Sequence, residues 1–257
     1  MFRKAIARPD AATIFLIGLL VLFFLLQIIA EILLPPGYKS PSGRGIFSLL
    51  AVSSLTYIRM GSNLQYLVAA HGEYWRFVTY CFLHLGLIHI AFNSYAFWDL
   101  GRLAERMWGA QQVFAAFIIT GIGGGAASYI WNAMPGRPVN SLGASGAVCG
   151  ILGLLLGAYY RDRGQVGQFL GSQLTRWAVY ILVFGLVVGA DNAAHIGGML
   201  TGGLLGYYLP PASRTRNRDL RIWTAAAILS LVVLLASFCF AASFYAQGPQ
   251  HVFDLLR

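Results

Sequence analysis

Charge is scarce in this 257-residue chain: Asp, Glu, Lys and Arg make up only 11% of it, against roughly 25% in soluble domains. That deficit excludes a soluble enzyme, because 58% apolar residues cannot all be kept from water in a chain of this length. Acidic residues are scarcer still, nine against eighteen basic ones, for a net charge of +9. The excess does not imply nucleic acid, since the basic residues sit in short segments between apolar runs, where they orient a chain in a bilayer. Cysteine is limited to Cys81, Cys149 and Cys239, too few and too scattered for a disulfide framework or a zinc site. A zinc hydrolase would carry H-E-x-x-H, and the nearest stretch, "HLGLIH", has no Glu and the wrong spacing. Paired aspartates within apolar runs are missing too, Asp99 being the sole candidate. No metal and no cofactor is expected.

What the chain does have is apolar length. About twenty apolar residues span a bilayer, and seven runs approach that: 13–34, 86–107, 110–132, 145–160, 177–189, 192–209 and 222–244. The first ends in "EILLPPGYKS" and not in a small-residue cleavage site, so it reads as a retained helix. With the N-terminus inside, the inner segments hold Arg3, Lys4, Arg8, Arg102, Arg106, Arg161, Arg163, Arg176, Arg214, Arg216, Arg218 and Arg221. The outer segments hold only Lys39, Arg44, Arg59, Arg76, Arg137 and Arg257. The sequence therefore predicts an all-α membrane protein of seven spans, N-terminus inside and C-terminus outside. One long connection, 35–85, mixes apolar and polar residues and is expected to lie in or on the outer leaflet.

Strongly polar groups inside such runs are costly and face a cavity or a partner. Here they are His89 and Asn93 in the second run, Ser145 in the fourth and His195 in the sixth. These three runs share one direction, and the four residues fall within ~10 Å of depth below the outer surface. His89 and Asn93, four apart, share a helix face. Gly146, Gly150, Gly153 and Gly157 face the possibility of close approach to Gly198, Gly202 and Gly206, since small residues at that spacing let helices touch. A serine at a helix start also meets backbone N–H groups that lack intrahelical partners. Nucleophile, base and a donor cluster together fit acyl transfer. Taken singly, Ser145 reads as a packing residue and His195 as a structural hydrogen-bonder; the co-location changes that. Asp191 reads as a solvated turn-end residue outside the site, Asp99 as an inner-interface residue, and Cys149 as a neighbour of Ser145 on the same face. Trp75 and Arg76 also fit an ordinary interfacial anchor pair.

The residues from about 72 to 206 resemble the rhomboid intramembrane serine proteases. "GEYWRFVTYCFLHLGLIHIAFNSYAFWDLG" is similar to that family's first-loop and second-helix signature. "RLAERMWG" resembles its Glu-x-x-x-Gly turn, on Glu105 and Gly109, "GASGAVCG" its nucleophile motif and "AHIGGMLTG" its base-bearing helix. The resemblance implies a six-helix bundle with one extra C-terminal transmembrane helix. It implies residues 1–12 as a cytoplasmic tail, 13–212 as the protease core and 213–257 as a basic loop with the extra helix. It implies Ser145 as nucleophile, His195 as base, and His89, Asn93 and the Ser145 N–H as the oxyanion site. Gly143 would shape the loop beside Ser145, His84 would be structural, and Trp75 and Arg76 would fix the first loop. Gly198 and Gly202 support the close helix approach and Cys149 borders the site. The family commonly has an aromatic residue at the Cys149 position to support the histidine ring, so here that support is weaker or comes from elsewhere. The implied substrates are single-spanning membrane proteins, cut in or near the outer end of the transmembrane helix, with the lipid bilayer as the other partner. A short N-terminus without transit-peptide character predicts a bacterial inner membrane with the site toward the periplasm. Two other readings stand beside this one: a non-proteolytic membrane binding or trafficking factor on the same fold, and a transporter using His195 as a proton relay.

Overall fold

Residues 10–38, 50–133, 139–161, 168–209, 211 and 217–256 are described by the computed structural model. Arg3, Lys4, Arg8, Lys39, Arg44, Arg137, Arg163, Arg214, Arg216 and Arg257, used above to orient the chain, lie outside the described residues. So do nearly all of the 1–12 tail and part of the 213–257 segment. The helices are α1 (Ala11–Leu33), α2 (Ser54–Arg59), α3 (Gln65–His71), α4 (Arg76–Thr79) and α5 (Leu87–Trp108). They continue with α6 (Ala110–Asn132), α7 (Ser145–Arg161), α8 (Gln168–Val188), α9 (Asn192–Tyr208), α10 (Asn217–Ala246) and α11 (Pro249–Leu255). Two short strands, β1 (Asn63–Leu64) and β2 (Asn140–Ser141), pair antiparallel, with Asn63 opposite Ser141 and Leu64 opposite Asn140.

Six of the seven expected runs agree with a long helix to within a few residues. The fifth differs: α8 begins at Gln168 and not at 177. Hydropathy marks only the apolar part of a helix, and "QFLGSQLTR" contains no proline to stop a turn from extending outward. Among the described residues, Ala11–Leu33, Ala110–Asn132 and Leu220–Ala246 are each long and apolar enough to cross a bilayer. Helix α7 is shorter and buried on every side from Gly146 to Leu155, which is why its apolar character runs all round.

The long connection is more structured than its composition suggests. It carries α2, α3, α4 and a 3-10 turn over Tyr80–Phe82, and the chain then bends by 98° into α5. Buried Arg76 holds it from within, donating to the carbonyls of Ile58 (2.8 Å) and Ser62 (2.9 Å) and pairing with Glu73. Glu31, near the end of α1, accepts from the N–H and hydroxyl of Ser53 and from the Thr56 hydroxyl. The β1–β2 pair then ties this connection to the segment that leads into α7.

At the other end of α1, the Glu105 carboxylate accepts from the N–H groups of Ala12 (3.0 Å) and Thr13 (2.9 Å) and from the Thr13 hydroxyl (2.8 Å). An anion at a helix N-terminus satisfies otherwise orphaned donors. Helix α10 packs on this frame and not apart from it: Phe238 stacks on Phe23 at 4.0 Å and meets Phe82 edge-on at 5.3 Å. Its C-terminal end reaches the first connection, where Arg59 donates to the Tyr245 carbonyl and lies over the Tyr245 ring. Arg76 lies over both Trp75 and Phe244. Val252 of α11 is buried with Leu55, Ile58 and Phe244.

Candidate active site

The seam between α7 and α9 is built from backbone. A Cβ at Gly198 would run into the carbonyl of Gly146, one at Gly202 into that of Gly150, and one at Gly206 into that of Leu154. From the other side, a Cβ at Gly153 would strike the carbonyl of Met199, and one at Gly157 that of Gly203. Glycines on both helices therefore alternate along a single line of contact. Small residues permit this approach, and in lipid the close packing it allows is a main source of helix association.

At one end of that seam, Ser145 opens α7 and His195 lies in the first turn of α9. Their Oγ and Nε2 are 2.8 Å apart, within normal hydrogen-bond reach. His195 is buried and Ser145 half-buried. The first N–H to point back into α7 is that of Val148, bonded to the Ala144 carbonyl at 2.9 Å, so the N–H of Ser145 precedes the intrahelical ladder.

Across from the serine, α5 presents His89 and Asn93. The Leu85 N–H points at His89 Nδ1 (3.3 Å). A main-chain N–H can only donate, so Nδ1 accepts and the neutral ring carries its proton on Nε2. That Nε2 is aimed at Gly143, where an added Cβ would lie 2.9 Å from it and 3.7 Å from Asn93 Nδ2. Asn93 Nδ2 donates one hydrogen to the His89 carbonyl (3.0 Å), which leaves its second free. Gly143 itself has φ +125°, a conformation that excludes most side chains, and its N–H donates to the Tyr80 carbonyl at 2.9 Å. Glycine is required there twice over, for backbone conformation and for the space the His89 ring takes.

These groups border a cavity of about 380 Å³, walled by α5, α7, α8 and α9, with His89, Asn93, Ser145, Cys149 and His195 on its surface. Phe92 and Tyr95 of α5 and Trp177, Tyr180 and Ile181 of α8 supply the apolar wall.

The other residues singled out in the sequence are distributed by role. Cys149 is fully buried one turn below Ser145. His84 is buried edge-on to His89 with ring centroids 5.1 Å apart, and its main chain is clamped by Gln27, which accepts from its N–H and donates to its carbonyl. Trp75 and Arg76 lie in the first connection and Gly202 lower in the seam, all outside the cavity wall. Asp99 is exposed on α5.

Asp191 corrects the sequence reading. It does lie at a turn end and off the cavity wall, but it is half-buried and not simply solvated: it caps α9 by accepting from the Ala194 N–H at 3.2 Å, and accepts from the Ser128 hydroxyl. Its carboxylate is hydrogen-bonded by the start of its own helix and by α6. The His195 ring meets Asn192, whose Oδ1 lies 3.0 Å from Nδ1. Asn192, Gln27, Ser128 and Glu73 were not found in the sequence. A polar residue just outside an apolar run carries no local mark of what it will touch.

The chain is similar to known proteins along most of this core. Residues 71–212, more than half of the chain, match the Rhomboid domain. The chain is 36% identical over 148 residues to "Rhomboid protease GluP" of Bacillus subtilis (strain 168), covering 57% of this chain and 28% of that protein. It is 30% identical over 207 residues to "Rhomboid protease AarA" of Providencia stuartii, covering 70% and 72% respectively. It is also 29% identical over 215 residues to "RHOMBOID-like protein 1" of Arabidopsis thaliana, covering 74% of this chain and 53% of that protein. The first two of these therefore differ widely in how much of them this chain spans. A domain match over more than half its length, together with a relative aligned over most of both chains, makes this apolar, integral membrane protein a member of the rhomboid family.

Proposed function

We propose that the protein is an intramembrane serine endopeptidase in which Ser145 is the nucleophile and His195 its general base. The observation that carries this reading is the 2.8 Å contact between Ser145 Oγ and His195 Nε2, facing a cavity on which His89 and Asn93 also open. Serine with an adjacent imidazole is the arrangement that activates an otherwise weak nucleophile.

The steps follow from where the protons sit. Ser145 Oγ attacks the carbonyl carbon of a peptide bond while its proton passes to His195 Nε2. The carbonyl oxygen becomes an oxyanion, for which the Ser145 N–H, His89 Nε2–H and the second Asn93 Nδ2–H are the available donors. Donors fixed beforehand at such a point stabilise the developing charge without having to reorganise. Collapse expels the amine, which takes its proton from His195 Nε2, and leaves an ester on Ser145. Water then attacks that ester as its proton goes to Nε2, and the second collapse releases the acid and returns the proton to Ser145.

The substrates are proposed to be single-spanning membrane proteins cut in or near the outer end of their helix, which reaches Ser145 from the bilayer. The topology that goes with this is seven spans, N-terminus inside and C-terminus outside. The core is 13–212, with 213–257 as an added segment, in a bacterial inner membrane with the site toward the periplasm. The twofold excess of Lys and Arg in the inner segments supports that orientation.

The test uses the purified full chain in detergent or bicelles. A fluorophosphonate is expected to label the wild type at Ser145 and leave Ser145→Ala unmarked, and wild type alone is expected to cleave a single-spanning substrate. A wild type that neither reacts nor cleaves ends the reading. Equal rescue of a cellular phenotype by Ser145→Ala points instead to a non-proteolytic role.

A further inference from the structure

The side-chain amide of Asn192 joins two helices at the base. Its Oδ1 lies 3.0 Å from His195 Nδ1, and its Nδ2 donates to the main-chain carbonyl of Leu182 at 3.1 Å. Asn192 and His195 belong to α9, whereas Leu182 belongs to α8. Gly185 of α8 makes room for the same amide: a Cβ there would run into Asn192 Oδ1. Helix α8 is thus notched where the amide sits and offers a carbonyl where its nitrogen end points.

These contacts decide where a proton resides. A carbonyl oxygen only accepts, so the amide nitrogen must face Leu182. The amide oxygen is then turned to His195, and it too only accepts. Nδ1 therefore carries the ring proton, and in a neutral imidazole Nε2 is left as a bare acceptor. Nε2 is the atom facing Ser145 Oγ. With the amide reversed, its N–H would seek a lone pair on Nδ1, the ring proton would move to Nε2, and the Ser145 proton would have no acceptor. The Asp191 carboxylate accepts from Ala194 and Ser128, and the partner that meets Nδ1 is Asn192.

We infer that Asn192 is a positioning residue through which the Leu182 carbonyl of α8 sets the tautomer of His195 and keeps Nε2 free for the Ser145 proton. The inference rests on the Ser145–His195 reading above and adds a dependence on α8. Displacement of α8 that parts Leu182 from Asn192 frees the amide to rotate and removes the bias on the base. Readiness of the base and the docking of α8 are then one equilibrium.

The experiment reads the proton directly. Full-length protein with ¹⁵N-labelled histidine, held at a pH where His195 is neutral, reports whether Nδ1 or Nε2 bears hydrogen, with assignment by loss of the signal in His195→Gln. Wild type is expected to be Nδ1–H. Asn192→Ala and Gly185→Ala are expected to gain Nε2–H, with fluorophosphonate labelling of Ser145 falling by about 10²–10⁴-fold, the range a general base supplies. Asn192→Asp, whose carboxylate still accepts from Nδ1–H, is expected to keep the tautomer and recover labelling relative to Asn192→Ala. Thermal unfolding of each variant identifies any loss that is only misfolding, and the conservative Asn192→Asp keeps the idea open to refutation in that case. A reactive wild type whose His195 is Nε2–H, or an Asn192→Ala that stays Nδ1–H and fully reactive, overturns this inference and leaves the protease reading intact. An unreactive wild-type Ser145 overturns the protease reading itself.

Discussion

His195 lies between two very different neighbours. Toward α7, its helix packs backbone against backbone, with Gly198, Gly202 and Gly206 seated on carbonyls of α7 and Gly153 and Gly157 on carbonyls of α9. Toward α8, contact at the level of the ring passes through the Asn192 amide, and bulky side chains such as Trp177 and Tyr180 stand along a cavity of about 380 Å³. The contrast has a physical logic. Proton transfer tolerates errors of only ~0.5 Å in the reacting geometry, and a side-chain interface with free rotamers holds that poorly. A seam with no side chains has nothing to rearrange. In the proposed reaction a polypeptide must still reach the serine, and the side where contact is sparse is where space exists. Rigidity and access are thus assigned to opposite sides of one helix.

The largest expected effect lies at the mouth of the rigid seam. Ser145→Ala should lower cleavage of a single-spanning substrate by about 10⁴–10⁶-fold, as loss of an activated nucleophile does, while the melting curve stays close to wild type. Retained cleavage would remove the seam from the chemistry altogether.

Next comes the far bank of the cavity. Asn93→Ala should cost about 10²–10³-fold in turnover, the size of effect seen when one oxyanion donor is removed. The fluorophosphonate rate should fall with it, because that reagent also develops charge on oxygen. A change confined to KM would assign Asn93 to substrate binding instead.

The seam itself is tested by stability. Gly202→Ala drives a methyl into the Gly150 carbonyl and should destabilise by about 1–3 kcal/mol, the usual penalty for overpacking. Unfolding in mild denaturant or by steric trapping measures it. Leu186→Ala on α8 provides the contrast and the smallest effect: Leu186 is 75% exposed, so about 0.5 kcal/mol or less is expected. Equal losses from the two substitutions would erase the distinction between the two sides.

Much of this was visible as local pattern. Ser145, His195, His89 and Asn93 are polar groups in apolar runs, an anomaly that needs no structure to notice. Glycines spaced by four on the runs that became α7 and α9 announce that the two helices can touch. The extent of α8 was underestimated because hydropathy reads composition, whereas a helix continues through polar residues until something stops it. Asp191 was misjudged because its partner Ser128 is far away in sequence, on α6. Gln27 was missed for the same reason, its partner His84 lying 57 residues on, whereas Glu73 and Asn192 meet Arg76 and His195 only three residues away, a spacing that does not by itself say which polar pair forms.

Composition and spacing alone dictated a helical membrane protein with a serine and a histidine at one depth, because burial cost and helix periodicity act over a few turns of chain. Which nitrogen of His89 and of His195 carries a proton, what the Asp191 carboxylate binds, and how α10 and α11 close on the first connection were decided only by the folded bundle. Hydrogen bonds depend on distances of a few tenths of an ångström between residues remote in sequence, and no pattern along the chain encodes those distances.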